Sequence, residues 1–450
     1  MTAIMMVINV LAALVITLSL VYFLWVTFAG FHELRRRRLT VGVQGDATYG
    51  RPFVDEPATF DTYVLVPCLN EEAVIGATVA ALNGGRRNTT IVIDDGSDDR
   101  TAAIAEDAGD SSTIVHRRTA PHARQGKGEA LNDAFQLVRK LVAERGQDPS
   151  RVLIVVMDAD GRLSDGAFRE ILPVFEDPEV GGLQVAVRIR NRETNFLTRF
   201  QDFQFWSLAA LAQYGRRKTG TVSLGGNGQV TRFTALDGIG AKPWSSSLTE
   251  DLDLAITLAQ QGWALETVPT ASVDQQGVTE LRRLFVQRRR WYQGHMMTTK
   301  RLGEIWSNPR LTNVRALELS AYLLVPWLFD LPWSLLWHWN IVQTLLRLDA
   351  IFAYVDGILS LCIGLAVGYV LAFGPTILSV VVFLRRDRRH SLISALVLGH
   401  SFLVMNYLAF ACAWGALWRI ITGKRGWDKT KRVAEGAAPP ALEAQEAASS

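Results

Sequence analysis

The chain has 450 residues, a formal net charge of +3 and a composition that is 49% hydrophobic. A charge this close to zero, with no broad basic face, argues against nucleic acid as a partner. Several of the apolar runs are long enough to cross a bilayer, which is untypical of a soluble protein. The three cysteines, Cys68, Cys362 and Cys412, lack metal-ligand spacing and are predicted to be structural thiols in a reducing setting.

The first apolar run predicts a transmembrane helix over residues 1–34. Residues 4–31 contain no Lys, Arg, Asp or Glu, and the basic run Arg35–Arg38 follows almost at once. A spanning helix needs about 20 apolar residues. A signal peptide is disfavoured, because the run is too long and its basic residues follow it. The basic run places the next residues in the cytoplasm by the positive-inside rule.

Residues 40–275 are predicted to form a cytosolic α/β domain. Apolar strands are expected from Thr62 to Pro67, at Ile91–Ile93 and from Val152, and the first two are followed by helical spacing. Repeated strand, loop and helix is the pattern of a Rossmann-like parallel sheet with crossover helices.

Carboxylates stand where these three successive strands end. Ligands of open α/β sheets bind beyond the carboxyl ends of the strands. Carboxylates meeting at one edge repel one another, so a bound cation is expected. Mg²⁺ or Mn²⁺ takes one or two carboxylates and substrate phosphates. Solvated or helix-capping aspartates are the alternative for each turn alone. The carboxylates are Glu71, Asp94, Asp95, Asp158 and Asp160.

Two helix starts add further candidate site residues. Lys127 lies between two glycines, an arrangement that suits a diphosphate or a base edge but is not a Walker loop. A simple turn is the alternative there. Thr249, Glu250 and Asp251 precede a helix predicted over Leu252–Gln260. A capping box is the local alternative for that sequence.

Residues 276–312 are predicted to form amphipathic helices on the membrane face. The segment Val286–His295 contains three consecutive arginines beside a tryptophan, and apolar residues recur along one side from Leu281 to Trp306. This is typical of a basic interfacial helix. Membrane anchoring alone is the alternative, although it does not explain Gln287 and Trp291 at their spacing.

Together these motifs resemble the family 2 glycosyltransferases, in particular the membrane-integrated processive branch of cellulose, chitin, hyaluronan and poly-N-acetylglucosamine synthases. Seven motifs occur in the family's order between residues 62 and 295. They are VPCLNEE (66–72), DDGSDD (94–99), GKGEALN (126–132), DAD (158–160), GNGQVTR (226–232), TED (249–251) and QRRRW (287–291).

The resemblance implies a GT-A-type domain inserted between transmembrane helices, and a metal-dependent, inverting hexosyl transfer from a nucleotide sugar. It assigns the catalytic base to Asp251, and Mg²⁺ or Mn²⁺ to Asp160 with Asp158. It also implies substrate-binding residues on the nucleotide, diphosphate and acceptor sides. These are Glu71, Asp94, Asp95, Lys127, Asp158, Glu250, Gln287, Arg290 and Trp291.

Residues 313–422 are predicted to hold three to four membrane segments, and residues 423–450 a basic and then disordered cytosolic tail. The apolar blocks are Leu317–Leu346, Ile351–Leu384 and Leu392–Ile421, with breaks expected near Pro326 to Pro332 and at Gly374-Pro375. Single crossings would place the basic run at 385–389 inside but that at 424–432 outside, against the positive-inside rule. An interfacial or re-entrant first block would reverse both positions. We expect a cytosolic tail and an inner-membrane location.

The first functional hypothesis is a processive synthase that elongates a β-linked polysaccharide from a UDP-sugar, with UDP-N-acetylglucosamine ahead of UDP-glucose, and translocates the product. The alternative is transfer of one sugar to a lipid acceptor. A transporter or receptor with an inactive domain is disfavoured, because every carboxylate of the motifs is present.

Overall fold

The computed structural model describes residues 2–36, 48–57, 59–346, 357–387 and 389–424. Predictions that concern Arg37, Arg38, residues 351–356, Arg388 and residues 425–450 lie outside this part of the chain. The domain boundaries given above stay predictions.

A mixed eight-stranded sheet forms the centre of the molecule. Its strands, in the order β3-β2-β1-β4-β7-β6-β8-β5, are β1 (Asp61–Cys68), β2 (Asn88–Asp94), β3 (Thr113–Arg117), β4 (Val152–Val156), β5 (Arg162–Leu163), β6 (Val180–Ile189), β7 (Gln229–Arg232) and β8 (Ala264–Gln275). The prediction of an α/β sheet is confirmed. Two details were wrong: β3 lies in the chain between the strands taken as successive, and β7 pairs antiparallel with β4 and with β6.

Helices cover both faces of the sheet. Strand β1 shows why, because Val64 and Val66 pack on one face while Leu65 packs on the other, and all three are fully buried. Parallel strands buried on both faces read as continuous apolar runs, which is how β1, β2 and β4 appear in the sequence. The domain helices are α2 (Ile75–Ala81), α3 (Thr101–Ala108), α4 (Lys127–Glu144), α5 (Ala167–Ile171), α6 (Phe196–Phe203), α7 (Ala210–Arg217), α8 (Phe233–Asp237), α9 (Glu250–Gln260), α10 (Leu281–Thr298) and α11 (Leu302–Ser307).

Long apolar helices flank this domain, as predicted. They are α1 (Thr2–Arg36), α12 (Asn313–Leu324), α13 (Leu331–Leu346), α14 (Gly357–Arg386) and α15 (Leu392–Ile421). In the described residues, three helical stretches have the length and composition of membrane spans, and the bent α14 would make a fourth.

Both predicted breaks in the apolar blocks are confirmed. A π-helical turn at Val325–Asp330 joins α12 to α13 and contains Pro326. Helix α14 bends by 59° between its segments Ile358–Val370 and Phe373–Arg386, beside Gly374-Pro375. Proline removes a backbone donor and clashes with the preceding turn, which accounts for both irregularities.

The end of α14 is anchored in the α/β domain by a buried cluster around Trp206. The guanidinium carbons of Arg188 and Arg386 lie 4.3 Å and 3.5 Å from the Trp206 ring centroid. Arg188 also donates to Asp202 at 3.0 Å and to Asp387 at 2.8 Å. All five side chains are almost inaccessible to solvent. The cluster therefore joins the end of α14 to the sheet.

Candidate active site

The first predicted group lies at the carboxyl ends of β1 and β2. Asp95 is buried and accepts hydrogen bonds from the Arg118 guanidinium and, at 3.0 Å, from the Arg124 backbone N–H. Burial raises the pKa of the Asp95 carboxyl, and these two donors oppose the shift. Asp94 accepts from the Ser97 N–H at 3.0 Å. The two carboxylates thus stand together in a polar, arginine-lined recess.

Glu71 follows β1 in the neighbouring loop, where its backbone N–H donates to Thr101 Oγ1 at 2.7 Å. The two loops are joined further by Asn70, whose N–H donates to Ser97 Oγ at 2.9 Å and whose side-chain oxygen accepts from the Asp98 N–H at 2.8 Å. The loops after β1 and β2 therefore form one hydrogen-bonded rim.

The second group surrounds Lys127 at the start of α4. Its Nζ donates to Asp158 Oδ1 at 2.6 Å and to the Gly226 carbonyl at 2.9 Å. Burial works against the charged ammonium, but Asp158, Glu250 and Asp251 together raise the pKa of Lys127. One cation therefore joins the turn after β4 to the loop before β7 and neutralises part of the charge around it.

Gly226 lies between the side chains of Lys127 and Asp251. A Cβ atom at this position would lie 2.8 Å from Lys127 Nζ and 3.4 Å from Asp251 Oδ2. Because glycine has no Cβ, the backbone carbonyl of Gly226 can reach Lys127 and the Asp251 carboxylate can lie close to the same backbone.

We expect Gly226→Ala to lower kcat/KM on the order of 10- to 100-fold, since the methyl group displaces Lys127 and small misplacements in a site have effects of this size. Steady-state kinetics on the purified variant measures it. Gly303→Ala in α11 is the matched control, because nothing lies within 4 Å of a Cβ added there. Equal kinetics for both variants would contradict this role of the Gly226 backbone.

Asp160 lies deeper than Asp158. Its side chain is about 1% exposed, and Oδ2 accepts from the Gln276 N–H at 2.8 Å. The Asp158 side chain is 31% exposed. Among the described residues no three His, Cys, Asp or Glu side chains are grouped to hold a metal. Two carboxylates fit Mg²⁺ or Mn²⁺ when substrate phosphates fill the remaining positions, which is the usual way these ions bind.

Glu250 and Asp251 occupy the first turn of α9, which begins two residues earlier than predicted. Burial raises the pKa of Glu250 to about 7; Asp251 adds to the shift, and Lys127 and Arg290 oppose it. Burial also raises the pKa of Asp251, against Lys127, the Leu252 N–H and Arg290. The two carboxyls therefore interact strongly and hold a proton at higher pH than exposed carboxyls do.

This pair predicts the pH dependence of the reaction. A base acts only when ionised, so kcat/KM should rise with pH through a pKa above the usual value of about 4 for Asp. In Lys127→Gln the cation that opposes the shift of Asp251 is gone, so Asp251 holds its proton more strongly and the rising limb should move to higher pH. A pH series of kcat/KM for both proteins measures this. A rising limb that stays in place or moves to lower pH would contradict the effect of Lys127 on the Asp251 pKa.

The residues predicted for the acceptor side share one face of α10, since positions 287, 290, 291 and 294 are neighbours on a helix. Gln287 is buried, and Arg290 acts on the pKa of both TED carboxyls. The Trp291 ring meets Phe205 edge to face at 6.4 Å, and the Arg288 guanidinium carbon lies 4.9 Å from the Trp291 centroid. The indole is therefore held between an aromatic and a cation.

Helix α10 lies directly against the TED motif. A Cβ at Gly294 would lie only 2.5 Å from Thr249 Cγ2, so only glycine permits this approach. The Thr249 side chain makes no capping hydrogen bond, so the capping-box alternative was wrong. The close packing of Gly294 on Thr249 instead lets α10 bring Arg290 near the two carboxyls of α9.

Arg118 is the main site residue that the sequence analysis missed. It is 6% exposed and contacts Asp95, Asp133 and the His122 carbonyl. It directly follows β3, the strand that was not predicted. The β-branched run Thr113–Val115 was the available strand signal, and a strand there would have placed a basic residue at the same sheet edge as Asp95.

Comparison with known proteins agrees with this geometry. A family model described as "Glycosyltransferase like family 2" matches residues 57–294, more than half of the chain. Two similar curated proteins are named beta-monoglucosyldiacylglycerol synthase. The one from Synechocystis sp. is 34% identical over 239 residues, which are 51% of this chain and 47% of that protein. The one from Nostoc sp. is 32% identical over 280 residues, which are 60% of this chain and 54% of that protein.

The chain thus spans about half the length of the curated relatives it matches. Among solved structures, the mannosyltransferase PcManGT from Pyrobaculum calidifontis, in complex with GDP-Man and Mn²⁺, superposes with a TM-score of 0.53. That likeness covers 91% of this chain and 99% of the other at 17% identity, so it bears on the fold alone. The chain belongs to the family 2 glycosyltransferases, with a GT-A-like α/β domain flanked by long apolar helices.

Proposed function

We propose that this glycosyltransferase transfers a single sugar from a nucleotide-sugar donor to a lipid acceptor at the membrane surface. The support is the similarity, at 32–34% identity, to two proteins named for glucosyl transfer to diacylglycerol. This was the alternative in the sequence analysis, and it now takes precedence over polysaccharide synthesis. Glucose likewise takes precedence over N-acetylglucosamine, which makes UDP-glucose and diacylglycerol the substrates to test.

The structural observation that carries the proposal is the position of α10. One face contacts Thr249 of the TED motif. The same helix contacts the apolar helices, since Trp327 donates to the Met296 carbonyl at 3.1 Å and Cys412 Sγ lies 3.6 Å from the Phe285 carbonyl oxygen. An acceptor whose hydroxyl reaches Asp251 would therefore enter beside apolar helices, where a lipid tail can be accommodated.

The proposed roles follow from charge and burial. Asp94, Asp95 and Glu71 bind the nucleoside, and Asp95 is held in place by Arg118. Asp251 takes the proton of the attacking hydroxyl, whose own pKa is too high for attack without a base. Lys127 and Arg290 stabilise the negative charge that develops on the leaving diphosphate. Glu250 contributes to substrate binding beside Asp251, while Gln287 and Trp291 orient the acceptor.

We infer that Asp158 and Asp160 hold Mg²⁺ or Mn²⁺ together with the donor diphosphate. A bound divalent ion would supply Lewis-acid neutralisation of the leaving group. The two carboxylates differ in exposure, so Asp158 is the one that solvent and substrate reach.

The proposal is tested with purified full-length protein in lipid nanodiscs. Radiolabelled UDP-glucose, UDP-N-acetylglucosamine or GDP-mannose is supplied with Mg²⁺ or Mn²⁺, with and without added diacylglycerol, and products are separated by thin-layer chromatography. We expect one labelled lipid that requires both UDP-glucose and diacylglycerol. Label that remains at the origin as a high-molecular-weight polymer would support the processive hypothesis instead. Transfer independent of diacylglycerol would show that this lipid is not the acceptor.

A further inference from the structure

The last apolar helix, α15, has the length of a membrane span, yet both of its ends contact the α/β domain. Just before its start, Asp387 accepts a hydrogen bond from Arg188 at the end of β6, at 2.8 Å. At its other end, Arg419 donates to Gln293 of α10 at 2.7 Å, and Gln293 donates to the Lys424 carbonyl at 2.7 Å.

A helix that crosses the bilayer cannot make both sets of contacts. Its 30 residues extend for about 45 Å, and crossing a core of about 30 Å would place its ends on opposite sides. Gln293 is adjacent to Gly294, which packs on Thr249 of the TED motif. Arg188 lies in the central sheet, so both ends of α15 are on the side of the membrane that holds the active site.

The contacts continue between the two ends. Ala395 and Leu398 pack with Phe200 and Phe203 of α6. Further along, Ala413 and Ala416 pack in one cluster with Met296 of α10. One face of α15 therefore rests on the domain helices α6 and α10.

The opposite face of α15 is an exposed apolar stripe. Its members recur at intervals of three, four or seven residues, which places them on one side of a helix. Two of them are tryptophans, a residue enriched where proteins meet the headgroup region. They are Ile393 (75% exposed), Val397 (54%), Val404 (70%), Tyr407 (45%), Trp414 (43%), Trp418 (64%) and Ile421 (69%). Of these, Tyr407 accepts a hydrogen bond from Trp337 of α13 and Trp414 donates one to Ser334 of α13, so α13 covers part of this side.

The charges at the two ends fit the same arrangement. Arg385, Arg386 and Arg389 precede α15, and Arg419 and Lys424 end it. Single crossings of all apolar blocks place one of these basic groups outside the cell. If α15 does not cross, both lie on the active-site side, as the positive-inside rule requires. The interfacial alternative drawn from the sequence concerned only the first apolar block, not α15.

We propose that α15 lies in the membrane interface on the active-site side, with α6 and α10 on one face and the lipid of that leaflet on the other. Such a helix needs no polar face, because the domain covers the side that would otherwise meet water. The crossings are then α1, α12 with α13, and α14. The apolar stripe of α15 then contacts the lipid and holds the domain against the leaflet.

Depth measurement tests this arrangement directly. In protein with Cys362→Ser, a nitroxide is attached at Val404→Cys, near the middle of α15, or at Val370→Cys, near the middle of α14, and oxygen and nickel-chelate accessibilities give the depth in liposomes. Cys68 and Cys412 are buried and stay in place. We expect the Val404 label to lie within about 10 Å of the headgroups and the Val370 label to lie deeper. Equal depth at both positions would overturn the proposal.

Labelling of the two ends provides a second test that does not depend on depth calibration. Leu392→Cys and Thr422→Cys are treated with a membrane-impermeant maleimide in intact spheroplasts and in inside-out vesicles. Arg310→Cys, on the exposed loop after α11, reports the side of the domain. We expect both ends of α15 to react from the same side as position 310. Reaction of either end from the opposite side would show that α15 crosses. These results do not depend on the identity of the substrates.

Discussion

Replacing Asp251 by Asn is expected to lower kcat by about 10²- to 10⁴-fold, which is the usual contribution of a positioned general base. Asn has nearly the same shape, so it can still accept the hydrogen bond that the Leu252 N–H makes to Asp251 Oδ1 at 2.7 Å. It cannot take a proton from the acceptor hydroxyl. Donor binding should therefore persist while turnover fails, and initial rates together with binding of the nucleoside diphosphate measure both effects.

Asp253→Asn is the matched control for this experiment. Asp253 lies two residues further along α9, and it pairs with Arg301 at 2.7 Å instead of facing Lys127. We expect it to keep kcat within a few-fold of the unchanged protein. If Asp251→Asn also keeps kcat within tenfold, the base is another residue.

The largest effect on stability is expected at Arg188. Replacing Arg188 by Leu removes its ion pairs with Asp202 and Asp387. Both aspartate side chains are 1% exposed or less. Removing one partner of a buried ion pair costs about 3–5 kcal/mol of folding free energy, because a desolvated charge remains. Thermal unfolding of the detergent-purified protein should show a marked fall in Tm, or size-exclusion profiles should show loss of the folded peak.

Arg51→Leu is the matched control, because it removes an arginine that is also paired with an aspartate but is exposed to solvent. Its pair with Asp165 is 3.2 Å long, but the Arg51 side chain is 75% exposed. Exposed pairs contribute about 1 kcal/mol or less. Similar Tm values for the two variants would contradict the account of the Trp206 cluster as the anchor of α14.

The sequence predicts the part of the site that depends on local pattern. Strands β1, β2 and β4 are buried on both faces, so they appear as uninterrupted apolar runs, and the carboxylates that end them are visible by position. Strand β3 was missed because TIVHR is short, only partly buried and ends in charged residues. Arg118 was missed with it.

Other features depend on residues far apart in the chain. The contact of Arg188 with Asp387 joins positions 199 residues apart, and neither residue has a local pattern that indicates the partner. The approach of Gly294 to Thr249 likewise follows from helix packing. The course of α15 could not be predicted from hydropathy, because a helix covered on one face by protein and on the other by lipid has the same composition as a span.

The number of sugars on the product lipid tests the central claim most directly. Nanodisc reactions with UDP-glucose and a diacylglycerol of defined chain length are extracted and analysed by mass spectrometry, with Asp251→Asn as the blank. We predict a single product, heavier than the acceptor by one hexose and absent from the Asp251→Asn reaction. A series of products with successive hexose additions, or a polymer without lipid, would contradict transfer of one sugar to a lipid.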